Sequence, residues 1–342
     1  MSRKKLPAKR VIGAGAVLLG IVGAAMVGAG EAASGNVQPE YVFSYAENQA
    51  ADYPTSLGAY RFAELVEERT GGRIKIMVWP DGELGVERDI IRQMQFGGVD
   101  FARVSLSQLA EYIPELNPLQ MPYLYKDSEH MWRVLDGEIG ESFLGKVGAY
   151  ELVGLSWYDA GARNFYTAAK PITVLEDMKG MRIRVQESDL MADMVEALGA
   201  TAVPGEYADV YANIERGIVD GAENNWPSYE SMSHYEVAGY FTVDEHTRVP
   251  EMQLCSAHTW EKLSGEDREI LAECAKESAL YERACWTLRE KESRQIVTSK
   301  GAKVVELSAE EKKRFFNAVK GVYEKYCGDY MDIVDEIIAM GD

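Results

Sequence analysis

The stretch from Lys179 to Asn225 constrains the fold more than any other. It opens with KGMRIRVQES, passes through a helix-like segment to ALGA, and closes with RGIVDGAENN. Met181, Ile183 and Val185 alternate with Arg182, Arg184 and Gln186, the period of two that separates the faces of a pleated strand. Glu187, Ser188 and Asp189 suit a helix start. Leu190, Met191, Met194, Val195 and Leu198 follow at helical spacing, and Gly199 is placed to end the helix. A cationic side chain near the C-terminal end of such a strand faces a helix N-terminus, which is good equipment for holding an anion. Arginine does this with two parallel hydrogen bonds to one carboxylate.

The same plan recurs along the chain. YVFSYAENQ reads as a strand, Pro54 and Thr55 precede a helix with Ala59, Phe62, Leu65 and Val66 inward, and Gly71-Gly72 ends it. RIKIMVW is a second strand, Ile90, Ile91 and Met94 mark a helix, and GGVDFARVSL is a third strand. Alternation at these lengths predicts an α/β lobe with a largely parallel sheet. GGRIKIMV corresponds loosely to KGMRIRVQ, and Gly97-Gly98-Val99-Asp100 to Gly217-Ile218-Val219-Asp220. Two such matches in order predict two similar lobes with a cleft between their polar strand tips. After an apolar strand over Leu152–Trp157, YDAGARNFY reads as a loop or lobe crossing, and FTVDEHTRVPEMQLCSAHTW as the return to the first lobe. Ser264 with Asp267 starts a long helix, with Ile270, Cys274, Ser278, Tyr281, Cys285 and Leu288 as its stripe. Ser308 and Glu311 cap a further helix, and DYMDIVDEIIAM is an amphipathic tail.

Charge limits the partners. The 342 residues carry 36 basic and 55 acidic groups, a net charge of −19. Such a surface repels nucleic acid and anionic lipid. It also makes a local arginine cluster more necessary for any acidic ligand. Residues 1–33 read as a secretory signal peptide: a basic start, the apolar run VIGAGAVLLGIVGAAMVGAG, and Gly30-Glu31-Ala32 as a small-x-small cleavage site. The run is also about long enough to stay as a membrane anchor. Cys255, Cys274, Cys285 and Cys327 form no CxxC pair and no zinc spacing. Cys274 and Cys285 stand about 16 Å apart on the long helix, too far for a disulfide. Buried thiols are the expectation, with a bridge involving Cys255 or Cys327 left open.

The catalytic inventory is poor. His130, His234, His246 and His258 are scattered, and there is no HExxH, GxSxG, GxxxxGK[ST] or strand-linked GxGxxG. We expect no catalytic residues, no metal and no cofactor.

KGMRIRVQES, the ALGA turn, VYANIERGIVDGAENN and the upstream GARNFYT together resemble the solute-binding proteins of tripartite ATP-independent periplasmic (TRAP) transporters, dicarboxylate-binding type. The resemblance runs from about Val42 to Phe316 and implies a two-lobed periplasmic-binding-protein-like α/β fold with a long helix spanning both lobes. It implies lobe I over 36–160 plus 248–288, and lobe II over 161–247 plus 289–342. It implies a small organic acid as ligand and integral membrane transporter subunits as partners, outside the cytoplasm. It places the carboxylate clamp at Arg184, with an arginine tying strand to helix as the bland reading. Arg163 assists at the ligand or makes a hinge salt bridge; Asn224 hydrogen-bonds the acid or makes a turn; Asn225 stands beside it. Arg103 is the first lobe's candidate, and Glu47, Asn48 and Gln49 sit where the first strand tip meets the cleft. Arg182, farther from its strand tip, reads as structural. Glu187, Trp226, Tyr229, Glu245, His246 and Arg248 form a second tier. Carboxylates near the cleft suit sugar hydroxyls better than a second ligand carboxylate, and Trp226 either stacks on a sugar ring or fills the lobe core. RVQES with ENNWPSY and DEHTRVPE resembles the hexuronate binders of the family more than its C4-dicarboxylate binders. The rival readings are a C4-dicarboxylate binder, an exported enzyme acting on sugar acids, and a sensor docking on a receptor.

Overall fold

Residues 38–341 are described by the computed structural model; the leader expected over 1–33 lies outside them. In chain order the strands are β1 (Tyr41–Ala46), β2 (Ile74–Trp79), β3 (Phe101–Ser105), β4 (Leu152–Tyr158), β5 (Ala162–Thr167), β6 (Arg182–Val185), β7 (Thr201–Pro204), β8 (Gly221–Asn224), β9 (Tyr240–Arg248), β10 (Glu251–Ser256) and β11 (Lys303–Glu306). They form two sheets, β2-β1-β3-β10-β4 and β11-β9-β5-β8-β6-β7. Each sheet with its covering helices is one lobe.

The sheets are mixed rather than largely parallel. β1 pairs parallel with β2 and β3, and β6 parallel with β7 and β8, but β10 and β5 each run antiparallel to both neighbours. The reason is the path between lobes. β4 leaves the first sheet and, across Asp159–Gly161, becomes β5 inside the second. β9 leaves the second sheet and, across Val249-Pro250, becomes β10 inside the first. YDAGARNFY, read as a loop or lobe crossing, is that crossing at Asp159–Gly161 followed by strand β5.

The internal repeat is real but displaced by one strand. Sheet position matches β1 to β6 and β2 to β7, so RIKIMVW corresponds to TAVP rather than to RIRV. The Gly-x-Val-Asp correspondence holds. Gly97 and Gly217 both take positive φ, 72° and 66°, the left-handed turn that glycine adopts without a Cβ penalty. Asp100 then accepts the Ser44 N–H of β1 at 2.8 Å, and Asp220 the Arg182 N–H of β6 at 2.8 Å. Arg182 also pairs with Asp220 at 2.8 Å, the structural role expected of it.

Helix α1 (Pro54–Arg69) buries Ala59, Phe62, Leu65 and Val66 against the first sheet and the long helix. At Gly58 a Cβ would come within 2.7 Å of the Tyr158 ring and 2.9 Å of Glu282 Cβ, so glycine is what lets α1 approach the long helix. That helix, Gly265–Ser299, has 35 residues and is about 52 Å long. Leu271, Cys274 and Ala275 join the first lobe's core, and Val297 joins the second lobe's. It spans both lobes. Cys274 and Ser278 of the expected stripe are buried, but its C-terminal part departs from it: Tyr281 and Leu288 are 44% and 72% exposed, while Glu282, Trp286 and Ser293 are buried. Polar residues on the buried face hide it from a hydrophobicity pattern.

The closing helices do not stay with the second lobe. Helix Lys320–Cys327 meets helix Asp189–Ala197 through Tyr326 and Asp193, 2.7 Å, and the first lobe through Tyr323 Oη donating to Pro122 O, 2.6 Å. His130 Nε2 reaches Ile337 O at 2.7 Å. The largest hydrophobic cluster accordingly runs through both lobes. All four cysteines are free thiols, three of them buried and Cys285 partly so. No helix among the described residues is long and apolar enough to cross a membrane.

Candidate ligand-binding site

Parallel strands of both lobes end at one cavity, with a volume of about 210 Å³. Ligands of open α/β sheets bind beyond such carboxyl ends. Cross-lobe hydrogen bonds flank the cavity. Tyr53 Oη lies 2.9 Å from Ser228 Oγ and donates to Asn225 Oδ1 at 3.3 Å. On the other side Ser107 Oγ donates to Gln186 Oε1 at 2.8 Å, Gln186 Nε2 donates to Ser105 Oγ at 3.1 Å, and Arg88 pairs with Glu187 at 3.4 Å. The lobes are closed on each other.

Three arginines line this cavity, and a guanidinium has five N–H donors. The Nε and Nη2 of Arg184 both donate to Gly205 O. Its Nη1 is buried without a partner among the described residues. Two of five donors are used, and no carboxylate among the described residues forms an ion pair with it. Burial lowers Arg184 from its ordinary value, and Glu223 opposes that pull from a distance. Arg163 uses four donors: two to the Glu223 carboxylate, one to Glu223 O at 3.1 Å and one to Asn224 Oδ1 at 3.2 Å. Arg103 uses all five. Nε and Nη2 hold Glu47, Nη2 also holds Asn48 Oδ1, and Nη1 lies 2.9 Å from both Glu87 and Glu251.

Arg103 is therefore a wall residue with no donor left for a ligand, a correction to its expected role. Glu47 is corrected with it: its side chain is fully buried beneath Arg103, and it does not line the cavity. Asn48 and Gln49, the next two residues on that strand tip, do line it. Arg163 makes the salt bridge that the sequence left open, but keeps one N–H and remains in the wall. Asn224 accepts from Arg163 and from the Asn225 N–H at 2.9 Å through its Oδ1, and its amide nitrogen is uncommitted among the described residues. Asn225 lines the cavity but is largely committed to structure. It caps helix Trp226–Ser231 by accepting the Ser228 N–H at 2.8 Å and donates to Ala160 O at 3.0 Å. Glu187 reaches the rim.

Four second-tier residues do not line the cavity. Trp226 is lobe core, its ring 3.7 Å from that of Phe241. Tyr229 is fully buried and donates to Ala238 O. Glu245 faces Arg248 and Lys312 with its side chain 45% exposed. His246 is fully buried, stacked on Phe165 at 4.3 Å, and held by Asp244 at 2.9 Å and Glu223 at 3.3 Å. Burial opposes charge on His246, but Asp244 and Glu223 outweigh it and raise the imidazole to about 9. Burial likewise works against the Glu223 carboxylate, and Arg163 and His246 outweigh it, lowering the group to about 2. The chain Arg163–Glu223–His246–Asp244 alternates in charge and is a buried brace behind the site.

The sequence missed Glu87, Glu251, Tyr207 and Trp286. Glu87 opens helix α2 (Glu87–Gln95) and accepts the Ser105 N–H at 3.1 Å. Burial and the nearby Glu251 push its carboxyl up to about 8. Tyr207 Oη and Trp286 Nε1 are buried, unpartnered among the described residues, and belong to residues lining the cavity. A glutamate just after the WPDGELG turn was the available signal for Glu87. Trp286, mid-helix, gave none.

Two α/β lobes, two strand crossings, one spanning helix and a cavity with an uncommitted arginine define the architecture of a two-lobed binding protein. Residues 45–329 match the model of the bacterial extracellular solute-binding proteins, family 7 (DctP). The chain belongs to that family, as the resemblance implied. It is 39% identical to a TRAP periplasmic solute-binding protein of a Bradyrhizobium species solved in complex with α/β-D-galacturonate, at a TM-score of 0.84 over 87% of this chain and 99% of that one. It is 34% identical to one from Pseudomonas putida F1 with bound D-glucuronate, at a TM-score of 0.85 over 87% and 97%. Among curated relatives it is 30% identical to the C4-dicarboxylate-binding protein DctB of Bacillus subtilis, over 85% of this chain and 83% of the relative.

Proposed function

We propose that this chain captures a hexuronate, galacturonate or glucuronate, outside the cytoplasm and hands it to the integral membrane subunits of a TRAP transporter. The observation that carries the reading is the uneven donor count inside one cavity: Arg184 has three N–H groups to give, and Arg103 has none. The ligand carboxylate pairs with Arg184. Arg163 adds one N–H and the Asn224 amide another. Asn48, Gln49, Glu87, Tyr207 and Glu251 meet the hydroxyls. The solved relatives with bound galacturonate and glucuronate support this choice of acid.

Binding favours closure because only the closed state lets one ligand touch both walls. The crossings at Asp159–Gly161 and Val249-Pro250 serve as the hinge between lobes bounded near residues 160 and 248. The acid is bound and released unchanged, with no catalytic group required.

A thermal-melt screen of the mature chain against hexuronates, aldonates, C4-dicarboxylates and amino acids tests the reading. A ligand at about 100 times its dissociation constant adds about 2.7 kcal/mol, a visible shift. Galacturonate or glucuronate is expected to give it. A shift with succinate or malate alone sinks the sugar-acid assignment in favour of the C4-dicarboxylate ligand class. Conversion of the bound acid during incubation, read by proton NMR, contradicts the binding-only role.

A further inference from the structure

The wall that faces Arg184 from the first lobe carries one arginine and three glutamates. Glu47 lies behind Arg103 with its side chain fully buried. Glu87 and Glu251 hold the same Nη1 of Arg103, each at 2.9 Å, and both line the cavity. Their side chains are 12% and 9% exposed. Asn48 takes the last Arg103 donor.

We propose that Glu87 and Glu251 are specificity-determining residues, restricting the cavity to acids with one carboxylate and a hydroxyl-bearing far end. This deepens the sugar-acid reading and rests on it. Carboxyl oxygens left over from Arg103 accept O–H donors, and each ligand hydroxyl supplies one. A second ligand carboxylate supplies none. It would meet two glutamates and an arginine with no N–H free, which is juxtaposition of like charge in a low-dielectric site. Glu206, at the rim, adds to the negative field at Glu87. The two walls are then chemically opposite, donor-rich at Arg184 and acceptor-rich at Glu87 and Glu251. That polarity fixes which end of the acid enters each lobe.

The probes are D-galacturonate and galactarate, the open-chain diacid with a second carboxylate at C1, with galactonate, the open-chain acid with one carboxylate, to separate loss of the ring from the added charge. Calorimetric titration into the wild-type chain is expected to give galacturonate at least about 100-fold tighter binding than galactarate, since truncated or mismatched polar pairs in a built site cost that much or more. In Glu87→Gln/Glu251→Gln the two amides bring N–H donors to the wall and remove its excess charge. Galactarate is expected to gain about tenfold or more, and galacturonate to lose affinity, narrowing the ratio. Should the double variant fail to fold, judged by its unliganded melting transition, Glu87→Gln alone is expected to narrow the ratio in the same direction. Wild-type chain that binds galactarate as tightly as galacturonate overturns the inference and leaves the sugar-acid reading standing. Wild-type chain that binds neither of them nor glucuronate overturns both. An unchanged ratio in a folded variant overturns the inference alone.

Discussion

Arg103 and Arg184 occupy comparable places and do opposite work. Each is on a strand with a parallel neighbour, each lines the same cavity, and they are 3% and 2% exposed, so burial does not separate them. Their partners do. Arg103 is surrounded by Glu47, Glu87, Glu251 and Asn48, whereas Arg184 leans only on the Gly205 carbonyl. A buried cation with its charge compensated is part of the scaffold. A buried cation without that compensation is the one we propose for the ligand carboxylate, because folding has already borne the desolvation that pairing would offset. Residue type and burial alone cannot assign function to a cleft arginine; the donor count can.

The comparison breaks most visibly without ligand. Arg103→Ala leaves three clustered glutamates and is expected to destabilise the free chain by about 3–5 kcal/mol, the usual result of removing one partner of a buried pair. Arg184→Met removes an unpaired charge along with two hydrogen bonds, and the free chain is expected to change by less than about 1 kcal/mol. Urea titrations of both variants check this. Equal losses would erase the distinction between the walls.

The buried brace behind Arg163 comes next. Glu223→Gln strips the carboxylate from Arg163 and His246 together and is expected to cost about 3 kcal/mol. The fall in hexuronate affinity should be smaller, since Arg184 is untouched. His246 gives the same brace a pH signature. Its folded value is about 9 against an ordinary 6.5, so the folded chain keeps a proton that the unfolded chain releases. Its contribution is full below pH 6.5 and is lost as the pH rises through 9, by up to about 3 kcal/mol. Glu87, raised to about 8, acts in the same direction at lower pH. Denaturation at several pH values in wild type and His246→Gln separates the two; the slope between pH 7 and 9 should flatten in the variant. A slope that stays the same would place the proton elsewhere.

The smallest effect belongs to Trp226. Trp226→Phe trims a ring packed on Phe241, and is expected to cost about 1 kcal/mol of stability while changing hexuronate affinity by less than about twofold. A large affinity loss at unchanged stability would restore the ring-stacking role that its position denies.

Local features were legible in the sequence. The alternation over Met181–Gln186 gave β6, Ser188 and Gly199 bounded the helix after it, and the two Gly-x-Val-Asp entries marked the repeat. Arg184 carried a local signal, a cation one residue before the end of a strand that feeds a helix, and it does line the cavity. The role of Arg103 was misread because its partners lie 56, 16 and 148 residues away in sequence. Trp226 follows the cavity-lining Asn224 and Asn225, and only packing shows that its ring turns inward. Glu282 and Ser293 on the buried face of the long helix broke the apolar stripe that would have revealed its register.

Isothermal titration of D-galacturonate into the wild-type chain and Arg184→Ala tests the central claim most directly. One site per wild-type chain is expected, with at least about 100-fold weaker binding in the variant, in line with losing one side of a buried charge pair, and an unchanged unliganded melting point. A folded Arg184→Ala that keeps its affinity within about threefold would mean that the carboxylate is held elsewhere, and that the free donors of Arg184 are not what the cavity was built around.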